Sequence, residues 1–140
     1  MSIQACIFGC QGLSLTAEEE AFFRDVRPWG FILFKRNVES PGQVRRLVEA
    51  LRETVQRPDA PVLIDQAGGR VQRLGPPHWP VYPPGRAYGE LAGNDPLLKR
   101  EITRLGARLL AHDLAELGVN VDCVPVLDVP QRGAHDVIGD

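Results

Sequence analysis

The chain has 140 residues, a single-domain length, and its 16 basic and 18 acidic side chains give a formal net charge of -2. A near-neutral chain without clustered Lys and Arg lacks the electrostatic footprint of a nucleic-acid-binding protein. No apolar stretch approaches the roughly 18 residues of a membrane span, and residues 1–10 lack the features of a signal peptide. We therefore expect no nucleic-acid partner and no membrane partner.

The chain contains three cysteines, Cys6, Cys10 and Cys123. If Cys6 and Cys10 share a strand, their Cα atoms lie about 13 Å apart, whereas a disulfide tolerates about 7 Å. An odd count without a CxxC motif favours free thiols with packed, structural roles in a reducing compartment. This cysteine usage predicts a cytoplasmic location.

The first third of the chain alternates short apolar runs with a helical segment. Ile3 to Phe8 predicts a strand. Thr16 followed by Glu19 has the pattern of a capping box, in which each side chain satisfies a free backbone amide of the other residue. A proline and a glycine end that helix. Residues 31–34 form a continuous apolar run, which is typical of a strand buried on both faces of a parallel sheet.

A second helix and a third strand follow. Ser40 and Gln43 repeat the capping-box pattern, and Pro41 occupies the first helical position. Apolar side chains at helical spacing then form one stripe facing a sheet. These side chains are Val44, Leu47, Val48, Leu51 and Val55. Val62 to Ile64 predicts the third strand, and Asp65 stands at its carboxyl end.

Residues 66–94 are rich in glycine and proline and predict one long irregular stretch. Loops of this length are usually functional or disordered. Asp95 and Pro96 predict the cap and first turn of a long helix that ends at Gly118. The apolar positions that keep the helical period are Leu98, Ile102, Leu105, Leu109 and Leu114. Residues 119–127 predict a fourth strand, bent or ended early by Pro125.

The predicted order is β-α-β-α-β-α-β, an α/β arrangement with a parallel sheet and right-handed crossovers. A closed eight-stranded barrel needs roughly 250 residues. Four units therefore fit either a small open sheet or half of a barrel. The chain ends on residues 138–140 without a closing helix or a polar tail, which is typical of a truncated sequence.

The clearest candidate site is the segment from Asp65 to Arg73, which has two glycines and two arginines after the carboxylate. In parallel α/β folds the carboxyl ends of the strands form the ligand-binding face. Asp accepts hydrogen bonds from sugar hydroxyls, and Arg donates several in a fixed geometry. An Asp–Arg pair that only stabilises the loop fits the spacing equally well. Without GxGxxG or Gly-Lys-Ser/Thr, the two glycines are weak evidence for a phosphate site.

Three segments, residues 31–37, 64–73 and 125–129, resemble glycoside hydrolase family 3 in the order in which that family has them. The resemblance runs from about Ile7 to Asp140. Within the family, the chain is similar to the bacterial cytosolic β-N-acetylhexosaminidases of peptidoglycan recycling. The resemblance implies an α/β fold that is the first half of a (β/α)8 TIM-type barrel, with about four parallel βα units. Residues 1–140 are then the N-terminal portion of a truncated catalytic barrel.

The implied activity is removal of terminal β-linked N-acetylglucosamine from muropeptides, by retention through a glycosyl-enzyme. In the family, the residues matching Asp65 and Arg73 bind the terminal sugar. The family usually has Glu where this chain has Ala67, so one loop carboxylate is absent. The next sugar-binding Arg, the Lys-His contact, the His-Asp acid/base loop and the nucleophilic Asp all follow the end of this chain. We therefore expect no catalytic residue here and an inactive isolated chain.

Other residues rank lower. A retaining glycosidase needs two carboxyl groups about 5 Å apart, but Asp122 and Asp128 are better explained by structural hydrogen bonds. His78, Trp79 and Tyr82 fit either sugar stacking or packing of a proline-rich loop. No cluster of His, Cys and Asp has metal-ligand spacing, so we expect no metal and no cofactor.

Two alternatives to an enzyme fragment remain open: a non-catalytic carbohydrate-binding half-barrel that binds a small saccharide, and a small open-sheet domain unrelated to sugars. A half-barrel leaves two unpaired strand edges, at residues 3–8 and 121–127, and an inner sheet face with half of its packing partners. We therefore expect the isolated chain to dimerise through these edges, to aggregate or to stay partly folded.

Overall fold

The computed structural model describes residues 2–91, 93–127 and 131–133. The helices and strands in chain order are β1 (Gln4–Phe8), α1 (Ala17–Val26), β2 (Pro28–Leu33), α2 (Pro41–Val55), β3 (Val62–Ile64), β4 (Gln66–Gly68), β5 (Val71–Gln72), α3 (Gly85–Leu91), α4 (Pro96–Ala115) and β6 (Val121–Asp122). The predictions that concern Asp128 and residues 138–140 lie outside the described residues. No helix in the described part of the chain is long and apolar enough to cross a membrane.

Four strands form one parallel sheet in the order β1-β2-β3-β6, which confirms the predicted α/β topology. Phe8 pairs with Phe31 and Phe31 with Val62, and on the other side Leu63 pairs with Val121. The second strand starts at Pro28, three residues before the predicted apolar run. A proline is tolerated there because the first residue of a strand need not donate to the ladder.

Local hydrogen bonds set the starts of α1 and α2. Thr16 Oγ1 accepts from the Glu19 amide at 3.2 Å and Glu19 Oε2 accepts from the Thr16 amide at 3.0 Å, which confirms the capping box. Ser40 Oγ likewise accepts from the Gln43 amide at 3.4 Å. The second half of that box was predicted wrongly, because Gln43 Oε1 accepts from the Glu39 amide, one residue earlier, at 2.9 Å.

The core lies between the sheet and helices α1 and α2, with the end of α4 closing it. All five predicted apolar positions of α2 are at most 2% exposed. They share a core with the four sheet residues that are fully buried, namely Phe31, Leu33, Val62 and Ile64. The helical period read from the sequence therefore identifies the buried face of α2 correctly.

Helix α4 begins as predicted, because Asp95 Oδ1 accepts from the amides of Leu97 and Leu98 at 2.9 and 3.1 Å. The predicted apolar stripe is wrong for Leu98, Leu105 and Leu109, which are 46%, 47% and 59% exposed. The buried positions of α4 are instead Gly106, Leu110 and Leu114. Gly106 is buried because the ring of Tyr88 in α3 lies directly over it.

The stretch predicted to be irregular contains short elements. Strands β4 and β5 pair antiparallel, and α3 follows them. The turn between the strands needs glycine, because Gly68 and Gly69 have φ values of +84° and +56°, a region that other residues rarely adopt. The fourth strand is shorter than predicted and covers only Val121 and Asp122. One further hydrogen bond extends the pairing of β3 with β6, from the Cys123 amide to the Ile64 carbonyl at 2.9 Å.

The three thiols are free, as predicted. Cys10 is buried, and burial raises the pKa of its thiol to about 11. Cys6 lies in β1 and is half-buried, whereas Cys10 follows the end of β1. Cys123 is exposed, so a packed role is wrong for this residue. Self-association through β1 and β6, which are the edge strands of the sheet, stays a prediction.

Candidate functional site

Asp65 and Arg73, the two residues predicted as sugar contacts, form an ion pair at the carboxyl end of β3. Arg73 Nη2 lies 2.8 Å from Asp65 Oδ2, and the two side chains are 27% and 28% exposed. The structure therefore brings the predicted pair together at the sheet edge where parallel α/β folds bind ligands. Their role as sugar contacts stays a prediction.

Gln66 holds the backbone that carries Arg73. Its side chain is 1% exposed, and its Oε1 accepts from the amides of Arg73 and Leu74 at 2.8 and 2.9 Å. Its Nε2 donates to the Leu74 carbonyl at 3.1 Å. A buried polar side chain with three hydrogen bonds makes this position well defined, since each lost bond leaves a buried group unsatisfied. Gln66 is a supporting residue that the sequence reasoning missed.

Lys35 supports the same position from β2. It opens the 3₁₀ turn Lys35–Asn37 that follows β2, and its Nζ donates to the Arg73 carbonyl at 3.1 Å. Gln66 and Lys35, which follow two different strands, thus bind the backbone amide and the backbone carbonyl of Arg73. In the sequence, Lys35 stands directly after a predicted strand and within residues 31–37, the first of the three resembling segments.

The next two residues of that turn have a structural role. Arg36 Nε and Asn37 Nδ2 both donate to the Cys10 carbonyl, at 3.0 and 3.1 Å. Asn37 is fully buried, and its Nδ2 also donates to the Gly12 carbonyl at 2.7 Å. This turn, which belongs to the first of the three resembling segments, therefore connects the loop after β1 to the end of β2.

Asp122 and Cys123 lie beside the pair on the β6 side. Asp122 Oδ1 accepts from the Gln66 amide at 3.1 Å, which confirms the structural role predicted for Asp122. Burial raises the pKa of Asp122, and the charge of Asp65 adds to the effect. Burial also raises the pKa of the Cys123 thiol, with further contributions from its hydrogen bond to Asp65 and from the Asp65 charge. Asp65 therefore lies beside two groups whose pKa values are raised.

One N–H of the site has no partner among the residues that the structure describes. Arg73 Nε is buried, and it makes no hydrogen bond to any of the residues that the structure describes. A buried donor without an acceptor is destabilising by about 1–3 kcal/mol, so such groups usually mark an absent acceptor such as water or a ligand. The Arg73 guanidinium thus donates from Nη2 to Asp65, while its Nε–H lacks an acceptor among the described residues.

The aromatic residues of the long loop pack against the protein. Trp79 and Tyr82 are buried, and the Tyr82 hydroxyl donates to Asp113 Oδ2 in α4 at 2.7 Å. His78 is exposed and makes an edge contact with Trp79. Of the two explanations open for these residues, the contacts favour packing of the proline-rich loop over sugar stacking.

No group of three or more His, Cys, Asp or Glu side chains within residues 2–91, 93–127 and 131–133 is arranged to hold a metal ion. The carboxylates near the site are engaged as well, Asp65 with Arg73 and Asp122 with the Gln66 amide. What the described side chains offer at this edge is an acceptor and a donor for polar hydroxyl or amide groups.

Comparisons with known proteins support a sugar-processing family. The model of the glycosyl hydrolase family 3 N terminal domain matches residues 11–140. A protein named Beta-hexosaminidase from Alkalilimnicola ehrlichii is 35% identical over 140 residues, which are 100% of this chain and 39% of that protein. One of the same name from Methylococcus capsulatus is 39% identical over 134 residues, or 96% of this chain and 38% of its own length.

Solved structures show the same likeness. NagZ from Neisseria gonorrhoeae, in complex with N-trifluoroacetyl-D-glucosamine, superposes with a TM-score of 0.82 at 26% identity, over 91% of this chain and 36% of that one. A glycoside hydrolase family 3 β-N-acetylglucosaminidase from a Paenibacillus species has a TM-score of 0.74 at 29% identity, over 88% and 23% of the two chains.

The chain spans about two fifths of the length of the curated relatives that it matches. The family match covers nearly all of the chain and agrees with the parallel α/β sheet. The chain therefore belongs to glycosyl hydrolase family 3, and it matches the N-terminal domain of that family.

Proposed function

We propose that residues 1–140 are the N-terminal portion of a family 3 catalytic barrel whose complete form is a β-N-acetylhexosaminidase. This enzyme removes terminal β-linked N-acetylglucosamine from peptidoglycan fragments in the cytoplasm, as part of muropeptide recycling. The names of the curated relatives and the N-acetylglucosamine analogue in the NagZ neighbour support the reaction and the sugar. The three free thiols support the compartment.

The observation that carries the proposal is the Asp65–Arg73 pair at the carboxyl end of β3. A sugar hydroxyl both donates and accepts, so one hydroxyl group can donate to Asp65 while its oxygen accepts from Arg73. Both side chains are partly exposed, at 27% and 28%, so a ligand can reach the pair. In this proposal Asp65 and Arg73 bind the terminal N-acetylglucosamine, and Gln66 and Lys35 hold Arg73 in place.

The chemistry of the reaction assigns different roles to this chain and to the rest of the barrel. Glycoside hydrolysis by retention needs one carboxylic acid and one nucleophile about 5 Å apart on the two sides of the scissile bond. Asp65 and Asp122 are already engaged as hydrogen-bond acceptors of Arg73 and of the Gln66 amide. The chain therefore contributes binding of the substrate, and the rest of the barrel contributes the reaction.

A fusion protein tests this proposal. Residues 1–140 are joined to the part of the Methylococcus capsulatus relative that follows its matched region, and both the fusion and the isolated chain are assayed with a chromogenic N-acetylglucosaminide. We expect turnover by the fusion and none above a buffer blank by the isolated chain, since positioned acid, base and nucleophile supply the rate. Turnover by the isolated chain contradicts the proposal that the rest of the barrel contributes the catalytic residues.

Two variants of the fusion test the site. Asp65→Ala is expected to lower kcat/KM about 10- to 150-fold, because a hydrogen bond to a charged group contributes about 1.5–3 kcal/mol. Asp59→Ala is the matched control, since the Asp59 side chain is 82% exposed. Wild-type kcat/KM in a folded Asp65→Ala fusion contradicts the assignment. An inactive fusion together with an isolated chain that binds N-acetylglucosamine in an NMR titration indicates the non-catalytic carbohydrate-binding half-barrel instead.

A further inference from the structure

Cys123 lies beside Asp65 on the neighbouring strand of the sheet. Ile64 of β3 is the register partner of Asp122 of β6. One residue further along these two parallel strands, Asp65 therefore faces Cys123. The Cys123 amide donates to the Ile64 carbonyl at 2.9 Å, which keeps the two segments paired at this point. Because neighbouring strands lie about 4.8 Å apart, the two side chains start within reach of each other.

Both side chains belong to the face of the sheet that lies opposite the helices. Ile64 is fully buried in the core beneath the helices, so the next residue, Asp65, belongs to the other face. Cys123 has the matching place on the β6 side, two residues after Val121, whose partner is Leu63. In an eight-stranded barrel this face is the interior, and its carboxyl end carries the active site. Cys123 therefore lies at the candidate site itself.

Two donors from different parts of the chain bind the Asp65 carboxylate. Arg73 Nη2 donates to Oδ2 at 2.8 Å. The side chain of Cys123 is also hydrogen-bonded to Asp65, and the thiol is the donor because an ionised carboxylate can only accept. A carboxylate has about four acceptor positions. Positions for the hydroxyl groups of a ligand therefore remain after both donors are bound.

We propose that Cys123 is a positioning residue for Asp65, because its thiol and Arg73 together fix the orientation in which the carboxylate accepts from the terminal sugar. This inference rests on the proposed function, in which Asp65 binds that sugar. The terminal torsion of an aspartate side chain is broad, so one hydrogen bond restrains it weakly. A second donor on the adjacent strand restricts the rotation and holds the carboxylate ready for the ligand.

A packing role for Cys123 predicts a different response to substitution. Cysteine often behaves as a small apolar side chain, and valine replaces it in that role without offering a donor. Serine offers a hydroxyl donor at the same place but contributes less apolar volume. If the thiol acts as a donor, serine replaces it and valine does not. If the thiol only packs, the order is reversed.

The first experiment compares Cys123→Val and Cys123→Ser in the fusion enzyme. Cys123→Val is expected to lower kcat/KM about 3- to 10-fold, because the carboxylate loses one hydrogen bond. Cys123→Ser is expected to stay within about twofold of the wild type, because its hydroxyl donates to the same carboxylate. Cys6→Val is the matched control, since β2 and β3 separate β1 from β6. Impaired Cys123→Ser together with unimpaired Cys123→Val overturns the inference.

A double variant shows whether Cys123 acts through Asp65. In the Asp65→Ala fusion, the added Cys123→Val change is expected to have no further effect, because the thiol has lost its acceptor. An equal fold-change in both backgrounds overturns the inference. Wild-type kcat/KM in Asp65→Ala contradicts the proposed function itself, whereas impaired Asp65→Ala with unimpaired Cys123→Val contradicts this inference alone.

The contact is also measured without turnover, in the 140-residue chain. Burial raises the pKa of the Cys123 thiol, and the hydrogen bond and charge of Asp65 raise it further, as does the charge of Asp122. Asp65→Asn removes one of these charges, so the thiol pKa is expected to fall. An NMR titration of isotope-labelled cysteine follows the ionisation, and Cys123→Ser assigns the signal. An unchanged thiol pKa in Asp65→Asn overturns the inference.

Discussion

Helices α2 and α4 carry apolar residues at the same helical spacing, yet they differ in what they bury. The five apolar positions of α2 are all in the core. In α4, Leu98, Leu105 and Leu109 are exposed, and burial falls on Gly106, Leu110 and Leu114. Helix α2 lies over the middle of the sheet, whereas α4 comes just before the edge strand β6. An amphipathic stripe is buried only where the fold supplies a surface for it.

The comparison also separates two parts of the chain. From β1 to β3, the helix caps, the helical period and the strand pairing all predict the observed elements, and these elements contribute most of the core. From α3 to β6 less of the chain is buried: α3 has no buried residue among those described, and β6 is two residues long. Substitutions in the first part are therefore expected to have larger effects on stability than matched substitutions in the second.

The largest effect is expected from Leu51→Ala in α2. Leu51 is 1% exposed, and removing a buried leucine side chain destabilises a protein by about 2–5 kcal/mol, through lost burial and a cavity. Leu97→Ala in α4 is the matched control, since substitutions at exposed positions usually change stability by less than about 0.5 kcal/mol. Urea unfolding followed by circular dichroism measures both, and equal effects contradict the comparison.

An intermediate effect is expected from Gly106→Ala. A Cβ atom at this position lies 2.5 Å from Tyr88 Cε1, so the tyrosine and α3 have to move. Overpacking of this kind is destabilising by about 1–3 kcal/mol. Hydrogen exchange is expected to show lower protection in α3 and little change in α2.

Gly89→Ala in α3 is the control for that substitution. No atom lies within 4 Å of a Cβ built there, so the alanine is expected to stabilise the helix by about 0.5–1 kcal/mol. Unchanged exchange in α3 of the Gly106→Ala variant contradicts the packing of α3 on α4.

The smallest effect is expected from Asp122→Asn in β6, and it depends on pH. Burial raises the pKa of Asp122 in the folded state above its ordinary value. The folded chain therefore loses stability as the pH rises from the ordinary Asp pKa through the raised one. Asparagine keeps an oxygen for the Gln66 amide and removes the charge, so the variant is expected to be more stable at pH 7.

The advantage of Asp122→Asn is expected to shrink as the pH falls below the ordinary Asp pKa, where the wild-type side chain is protonated in both states. Thermal unfolding at a series of pH values measures this difference. Asp59→Asn, at an exposed position, is the matched control. A variant that is less stable than the wild type at pH 7 contradicts the direction of the pKa shift.

Much of the candidate site follows from sequence. A carboxylate after a buried strand and an arginine eight residues later predict the Asp65–Arg73 pair, because the carboxyl ends of parallel strands bind ligands. The supports of this pair do not follow from sequence. Gln66 and Lys35 are ordinary polar residues after two different strands, and only the fold brings both to the backbone of Arg73. Long-range hydrogen bonds of this kind have no local pattern.

The sequence by itself determined the start of each long helix, the buried stripe of α2 and the parallel strand order, because each depends on local hydrogen bonding or on a single periodic stripe. Only the tertiary structure decided the orientation of α4. That helix has leucines on more than one side, at Leu97, Leu98, Leu105, Leu109, Leu110 and Leu114, so its period is compatible with several buried faces. The contact of Gly106 with Tyr88 and the burial of Leu114 in the core select one of them.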